Sequence, residues 1–220
     1  MILRLHSFWR STSSWRVRIG LGLKGLAWEY SPVDLAAQAQ YRPEHLARNP
    51  MAQVPVLELL EDGRPPVRLV QSMAILAWLD EAHPSPPLLP ADPLGRARVR
   101  ALAEHVNSSI QPYQNAAVLR HLRGALGADD RAWAAHWIGR GLAALEAATA
   151  AGAGRFSHGD QVGLADVYLV PQLDGARRHG VALDPFPTLL RVEAACAALP
   201  AFRAAIPERQ PDAPPAGGAP

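Results

Sequence analysis

The chain has 220 residues, 49% of them hydrophobic and 19% charged, enough for one large domain or two small ones with a proper core. No apolar run is long enough to span a membrane, and residues 1–20 lack the order of a signal peptide, so a cytoplasmic protein without membrane partners is expected. The net charge is only +2 with bases scattered among acids, and there is one cysteine, Cys196, which argues against a nucleic-acid partner, an internal disulfide or a cysteine metal cluster.

Residues 2–6 alternate at strand period, and residues 13–24 carry helical spacing with Trp15, Ile19 and Leu23 on one face. On that spacing Arg16 and Arg18 point away from the apolar face, while Gly20 and Gly22 permit close approach of a neighbour. Between strand and helix stand four hydroxyl residues, Ser11-Thr12-Ser13-Ser14, preceded by Arg10. Helix capping accounts for one of them. A strand end, a hydroxyl cluster and a helix start in that order also form a corner suited to an anion. The helix supplies N–H groups without intrahelical partners and the positive end of its dipole. Residues 28–33 read as a second strand, which completes a β-α-β unit with a parallel pair.

A short helix over 43–48 precedes a strand over 55–59. Pro55 stands at the strand's start, where a missing N–H does least harm, and a cis peptide there would turn the Val54 backbone outwards. Residues 67–70 pair with this strand as a hairpin across Asp62-Gly63. Gln71-Ser72 opens a helix to about His83, with Ser72 as its N-cap. Residues 1–83 thus read as an α/β layer and 84–92 as a proline-rich linker. Residues 93–207 read as an all-helical domain, with helices over 93–123, 129–151, 164–179 (kinked at Pro171) and 187–199. Residues 208–220 read as an extended or disordered tail.

This arrangement resembles the soluble glutathione transferases, a thioredoxin-like α/β N-terminal domain followed by an all-α C-terminal domain. Five segments carry the resemblance: Arg10-Ser11-Thr12-Ser13-Ser14-Trp15-Arg16-Val17-Arg18-Ile19; Asn49-Pro50-Met51-Ala52-Gln53-Val54-Pro55; Gln71-Ser72 with Ala74-Ile75; Ile110-Gln111-Pro112-Tyr113-Gln114-Asn115; and Leu164-Ala165-Asp166 with Leu169-Val170-Pro171-Gln172. The first and fourth narrow it to the zeta class, whose best-known activity is maleylacetoacetate isomerase.

The resemblance implies glutathione as cofactor, a homodimer and a role for each matched residue. Val54 would offer its backbone N–H and C=O to the cysteinyl part of glutathione. Gln71 and Ser72 would hold the γ-glutamyl carboxylate, with Gln40 and Gln53 near the glycyl and neighbouring polar groups. Gln111 and Asn115 would close over the tripeptide. Ser11, helped by Thr12 and Ser13, would stabilise the thiolate, and Arg10 and Arg178 would meet substrate carboxylates. The reaction implied is cis-to-trans isomerisation of a maleyl-type keto dicarboxylate by thiolate addition, bond rotation and elimination.

Two positions depart from the class. Ser13 stands where the class usually has cysteine, which moves weight towards maleylpyruvate as substrate, and the Gln111-Pro112 segment moves it back towards maleylacetoacetate, the substrate the resemblance implies first. Gly163 replaces the usual hydroxyl N-cap of its helix, which predicts a less firmly capped turn. Alternatives are a general glutathione transferase or dehalogenase using the same thiolate, and a non-catalytic binding module of the same fold.

Overall fold

The computed structural model describes residues 1–215. The chain forms two compact units, Met1–Pro86 with the chain from Leu199 onward, and Pro87–Ala198. In the first, β1 (Ile2–Ser7) is buried from Leu5 to Ser7, as a strand flanked on both sides must be. β2 (Glu29–Pro32) pairs with it in parallel and β3 (Val56–Leu60) antiparallel, and β4 (Val67–Val70) closes the hairpin on β3. The sheet order β2-β1-β3-β4 is that of the expected thioredoxin-like layer. α1 (Thr12–Leu23) provides the parallel crossover, α2 (Pro43–Leu46) is a single turn, and α3 (Ser72–Ala82) follows β4.

Against the amphipathic expectation, α1 is buried all round from Ser14 to Leu21, Arg16 and Arg18 included. The reason is a second neighbour. α3 packs against Gly20, where a methyl group would overlap the Leu76 side chain, and α9 (Pro200–Ala205) packs against Gly22, whose added Cβ would come 3.1 Å from that of Ala201. α9 belongs to a stretch that sequence had assigned to the helical domain; residues from Leu199 onward instead return to the first unit.

The tail is also a correction as far as it is described. Pro207–Arg209 makes a 3₁₀ turn, and the Gln210 side-chain amide donates to the Ala204 and Ile206 carbonyls at 3.1 and 2.9 Å. Asp212 is hydrogen-bonded to Trp9 and Tyr30. The part of the expected disordered tail over 216–220 lies outside the described residues.

The second unit contains α4 (Pro93–Ser109), α5 (Ala116–Ala125), α6 (Asp130–Ala150), α7 (Leu164–Arg178) and α8 (Pro187–Ala197). The single helix expected over 93–123 is interrupted by a 3₁₀ turn, Gln111–Gln114, because Pro112 has no N–H with which to continue an α-helical ladder. α7 runs through Pro171 as one helix.

At the α7 start, Asp166 accepts the N–H groups of Gly163 and Ser157, both at 2.8 Å. Burial pushes its carboxyl up, and these N–H groups oppose that rise. Glycine at the cap has a steric reason: an added Cβ would sit 2.9 Å from the Leu88 carbonyl oxygen, which accepts the Leu164 N–H at 2.8 Å. Among the described residues no helix is long and apolar enough to cross a membrane.

Candidate functional site

Strand register gathers most of the expected residues of the first unit. His6 of β1 lies opposite Val56, the first residue of β3, and Val56 lies opposite Val70, the last residue of β4. The chain leaving β1 (residues 8–11), the chain entering β3 (Val54, Pro55) and the chain leaving β4 (Gln71, Ser72) therefore share one end of the sheet.

In the first of these, Ser11 is the N-cap of α1. Its N–H closes a turn on the Phe8 carbonyl at 3.0 Å, and its Oγ accepts the Ser14 N–H at 3.2 Å. The hydroxyl proton remains to be donated. Thr12 and Ser13 occupy the first turn and are half-buried like Ser11, whereas Ser14 is buried. No acidic side chain stands in that turn to offset the positive helix end. Arg10 is exposed, with its guanidinium 5.6 Å from the centroid of the Trp9 ring.

The Val54–Pro55 peptide is cis, as expected. Val54 precedes the paired part of β3, so its peptide groups stand outside that ladder. Its approach is fixed by Asn49, a buried residue that sequence reasoning placed in the motif without a role. Asn49 Nδ2 donates to the Gln53 carbonyl at 2.9 Å, its Oδ1 accepts the Met51 N–H at 3.1 Å, and its carbonyl accepts the Ala52 N–H at 2.9 Å. His45 Nε2 reaches the same Gln53 carbonyl at 3.0 Å, which requires the proton on Nε2. Gln53 itself is half-buried, and Gln40 is buried in the 3₁₀ turn Ala39–Tyr41.

At the third segment the expected N-cap shifts by one residue. Gln71, not Ser72, holds the cap position of α3, and it does so at φ +70°, a conformation costly for a side-chain-bearing residue. Ser72 is the first helical residue, and its Oγ accepts from Arg16 Nη1 at 3.3 Å. A guanidinium buried in α1 thus stands behind the start of α3, a role that spacing on α1 alone did not indicate.

In the second unit, Gln111 opens the 3₁₀ turn and is half-buried. Asn115 caps α5, its Oδ1 accepting the Ala117 N–H at 2.9 Å. Arg178 ends α7 and pairs through Nε with Asp174 Oδ2 at 2.9 Å, keeping 37% of its side chain exposed. Its neighbour Arg177 is committed elsewhere, in a two-pronged pair with Glu193 at 2.6 and 2.5 Å. Among the described residues no group of side chains is suited to hold a metal.

The family model for the glutathione S-transferase N-terminal domain matches residues 10–82. A maleylacetoacetate isomerase from Pseudomonas aeruginosa is 48% identical over 217 residues, covering 96% of this chain and 99% of that one. A maleylacetoacetate isomerase from Anaeromyxobacter dehalogenans, crystallised with bound glutathione in its active site, is 67% identical with a TM-score of 0.90, covering 97% of this chain and 98% of that one. A second structure of that relative, at 66% identity, TM-score 0.90 and the same coverage, holds dicarboxyethyl glutathione and citrate. A bacterial maleylpyruvate isomerase described as a zeta-class glutathione transferase is 46% identical, with a TM-score of 0.90 over 96% of this chain and all of its own.

Proposed function

The chain belongs to the zeta class of the glutathione transferases, and we propose that it is a glutathione-dependent cis-trans isomerase of a maleyl-type keto dicarboxylate, with maleylacetoacetate as substrate. The observation that carries the reading is the convergence at one sheet end of the Ser11 cap, the Val54 peptide and the Gln71-Ser72 start of α3.

The donor set suits glutathione. Val54 offers a peptide N–H and C=O outside the strand ladder, which fits the extended backbone of a tripeptide. The start of α3, with Ser72 and the buried Arg16 behind it, suits a carboxylate such as the γ-glutamyl one. The strained Gln71 turns its backbone at that same point. The family resemblance assigns Gln53 and Gln40 to the glycyl end and Gln111 and Asn115 to the outer side of the tripeptide.

Glutathione supplies the nucleophile: its thiolate adds to the cis double bond beside the carbonyl, the resulting single bond rotates, and loss of the thiolate leaves the trans isomer. The protein's part is to hold that sulfur ionised and to stabilise charge on the substrate. Ser11 donates its hydroxyl proton to the sulfur, and the N–H groups of the first turn of α1, with Thr12 and Ser13, favour the anion there. Arg10 and Arg178 meet the substrate carboxylates and the negative charge that develops on the carbonyl oxygen. Dicarboxyethyl glutathione, as held by the Anaeromyxobacter relative, is a thioether of glutathione with a saturated four-carbon diacid, the kind of product that addition without elimination leaves. A cytoplasmic homodimer accompanies this reading.

The test is to follow maleylacetoacetate and maleylpyruvate separately, with and without glutathione, in the wild type and in Ser11→Ala. Isomerisation must require glutathione and fall about 100-fold or more in the variant, the usual effect of removing one such donor. Equal rates without the tripeptide would sink the reading. Maleylpyruvate is the second candidate substrate because Ser13 stands where the class usually has cysteine, and the ratio of the two kcat/KM values decides between them.

A further inference from the structure

The loop that delivers Ser11 is held from an unexpected direction. Arg18, fully buried in α1, donates Nη2 to the Trp9 carbonyl at 2.9 Å, Nη1 to the Phe8 carbonyl at 3.4 Å and to Ser7 Oγ at 3.2 Å, and Nε to the Ala205 carbonyl at 3.1 Å. The Trp9 N–H is taken by the Asp212 carboxylate, whose Oδ2 accepts it at 3.0 Å. The other oxygen of Asp212 accepts the Tyr30 hydroxyl at 2.6 Å. Both ends of residue 9 are therefore gripped by charged groups, one from inside α1 and one from the last part of the chain.

We infer that Asp212 is a positioning residue for thiol activation: with Arg18 it clamps the Trp9 backbone and so sets where Ser11 presents its hydroxyl. This deepens the proposed function and rests on it for the identity of the group that Ser11 meets.

The geometry leaves residues 8–11 little freedom. The Phe8 carbonyl that Arg18 touches is the same one that closes the turn on the Ser11 N–H at 3.0 Å. Rotating the peptide before Trp9 breaks the bond to Asp212, and rotating the one after it breaks the bond to Arg18. Hydrogen bonds to ionised groups are the stronger kind, which suits them to fixing a loop. Arg18 and Tyr30 both hold their protons at neutral pH. Burial pushes Arg18 down to about 10, partly offset by Tyr30 and Asp212, so it keeps its proton. Burial and the bond to Asp212 push the Tyr30 phenol up, so it stays a donor. Asp212 is carried by a segment that is itself tied down, through the Gln210 amide on Ala204 and Ile206 and through Ala201 packed on Gly22.

A residue that merely stabilised the fold would change melting and nothing else. A clamp on Ser11 predicts more, with a telling sign. Removing a carboxylate from the neighbourhood of a thiolate lowers the thiol pKa by charge alone. Loosening the Ser11 donor raises it. For Asp212→Ala the clamp predicts a rise of about one unit in the apparent pKa of bound glutathione, so that the thiolate fraction at any pH well below the pKa falls about tenfold and is recovered at alkaline pH.

The experiment titrates the thiolate absorbance of bound glutathione in wild type, Asp212→Ala, Asp212→Asn and Ser11→Ala, and measures amide hydrogen exchange over residues 8–14 without ligand. In Asp212→Ala the titration shifts upwards, the glutathione KM stays within about twofold because the Val54 and Ser72 contacts are untouched, and exchange accelerates. Asp212→Asn keeps an oxygen to accept the Trp9 N–H while losing the charge, so its titration lies at the wild-type position or slightly below it. A wild-type titration and wild-type exchange in Asp212→Ala overturn the inference. If Ser11→Ala leaves the titration unmoved, the proposed site fails instead, and exchange alone then decides the clamp. Should Asp212→Ala not fold, Asp212→Ser, too short to reach the Trp9 N–H but able to hold water in the vacated space, takes its place with the same readouts, and unchanged values there count equally against the clamp.

Discussion

Asn49 offers a test of how far a residue that touches no substrate governs the proposed glutathione site. Asn49→Ala deletes two side-chain hydrogen bonds, to the Gln53 carbonyl and from the Met51 N–H, at a position 2% exposed. The damage is bounded by what remains. His45 still donates to the Gln53 carbonyl, and Met51 is 66% exposed, so its N–H can turn to water. Neither partner is left stranded, and the loss is about 1 kcal/mol per bond, roughly 2 kcal/mol in all. The two bonds fix the loop that leads to Val54, so part of that loss enters glutathione binding. If half of it does, affinity falls about fivefold, and if all of it does, about thirtyfold. Steady-state kinetics at saturating electrophile, with glutathione varied, should give a raised KM and a kcat close to wild type. A thermal melt run beside it registers the remainder. A glutathione KM unchanged in a variant that melts several degrees early would refute the reasoning, because the loop would then be loose without Val54 being affected.

Arg178→Ala should raise the KM for a maleyl dicarboxylate about tenfold or more, the scale of a hydrogen bond to a charged group, and leave glutathione affinity alone; an unaltered KM removes Arg178 from the site. Stability should fall with acid through the buried pair of His6 and Glu58, 2.9 Å apart. Burial lowers the His6 pKa below 6.5; at Glu58 burial works upwards, but hydrogen bonds from His6 and Arg68 outweigh it and leave the pKa below 4.5. Both groups hold protons less tightly folded than unfolded, so stability is complete above pH 6.5 and is lost as pH falls below it, first through His6 and then through Glu58. A denaturation midpoint that stays flat from about pH 7 to pH 4 contradicts this. Asp166→Ala leaves the buried acceptor site of the Ser157 and Gly163 N–H groups empty and should cost roughly 3–5 kcal/mol in chemical denaturation, with Asp166→Asn costing less because one acceptor survives. A loss under about 1 kcal/mol would show that the turn finds other partners.

What local pattern could convey and what it could not divides along sequence distance. The hairpin, the cis Val54–Pro55 peptide and a hydroxyl cap at the start of α1 depend on neighbours a few residues apart, and the β-α-β unit on periodicity within three successive segments; all are present. Helical spacing turns Arg16 and Arg18 away from the face of Trp15, Ile19 and Leu23, and a single apolar face is all that local pattern conveys. Their burial comes from α3 and from α9, and Arg18 meets Ala205 across a separation of 187 residues. The composition of residues 208–220 reads as disorder, yet one carboxylate, Asp212, finds two partners in β2 and the loop after β1. Ser72 looked like a cap since serine before an apolar helix normally is one. Pairing of Val70 with Val56 carries the strand to the last residue before Gln71, so the whole reversal falls on Gln71 at φ +70°.

The substitution most visible in the sequence, serine at 13, acquires a physical meaning from the same corner. Ser13 lies half-buried in the first turn of α1, among the N–H groups and beside the cap proposed to stabilise a thiolate. A cysteine in that turn would itself have its pKa lowered by the helix end, so that two sulfurs would compete for one set of donors and repel each other once ionised. A serine hydroxyl does not ionise there. It can donate a hydrogen bond but adds no charge. The positive end of α1 is then left to a single sulfur, that of glutathione, and isomerisation as proposed needs no second one. What discriminates maleylacetoacetate from maleylpyruvate must therefore act on the substrate, through the hydroxyl at Ser13 or the cations that meet the carboxylates, and not through the thiolate that both substrates would share.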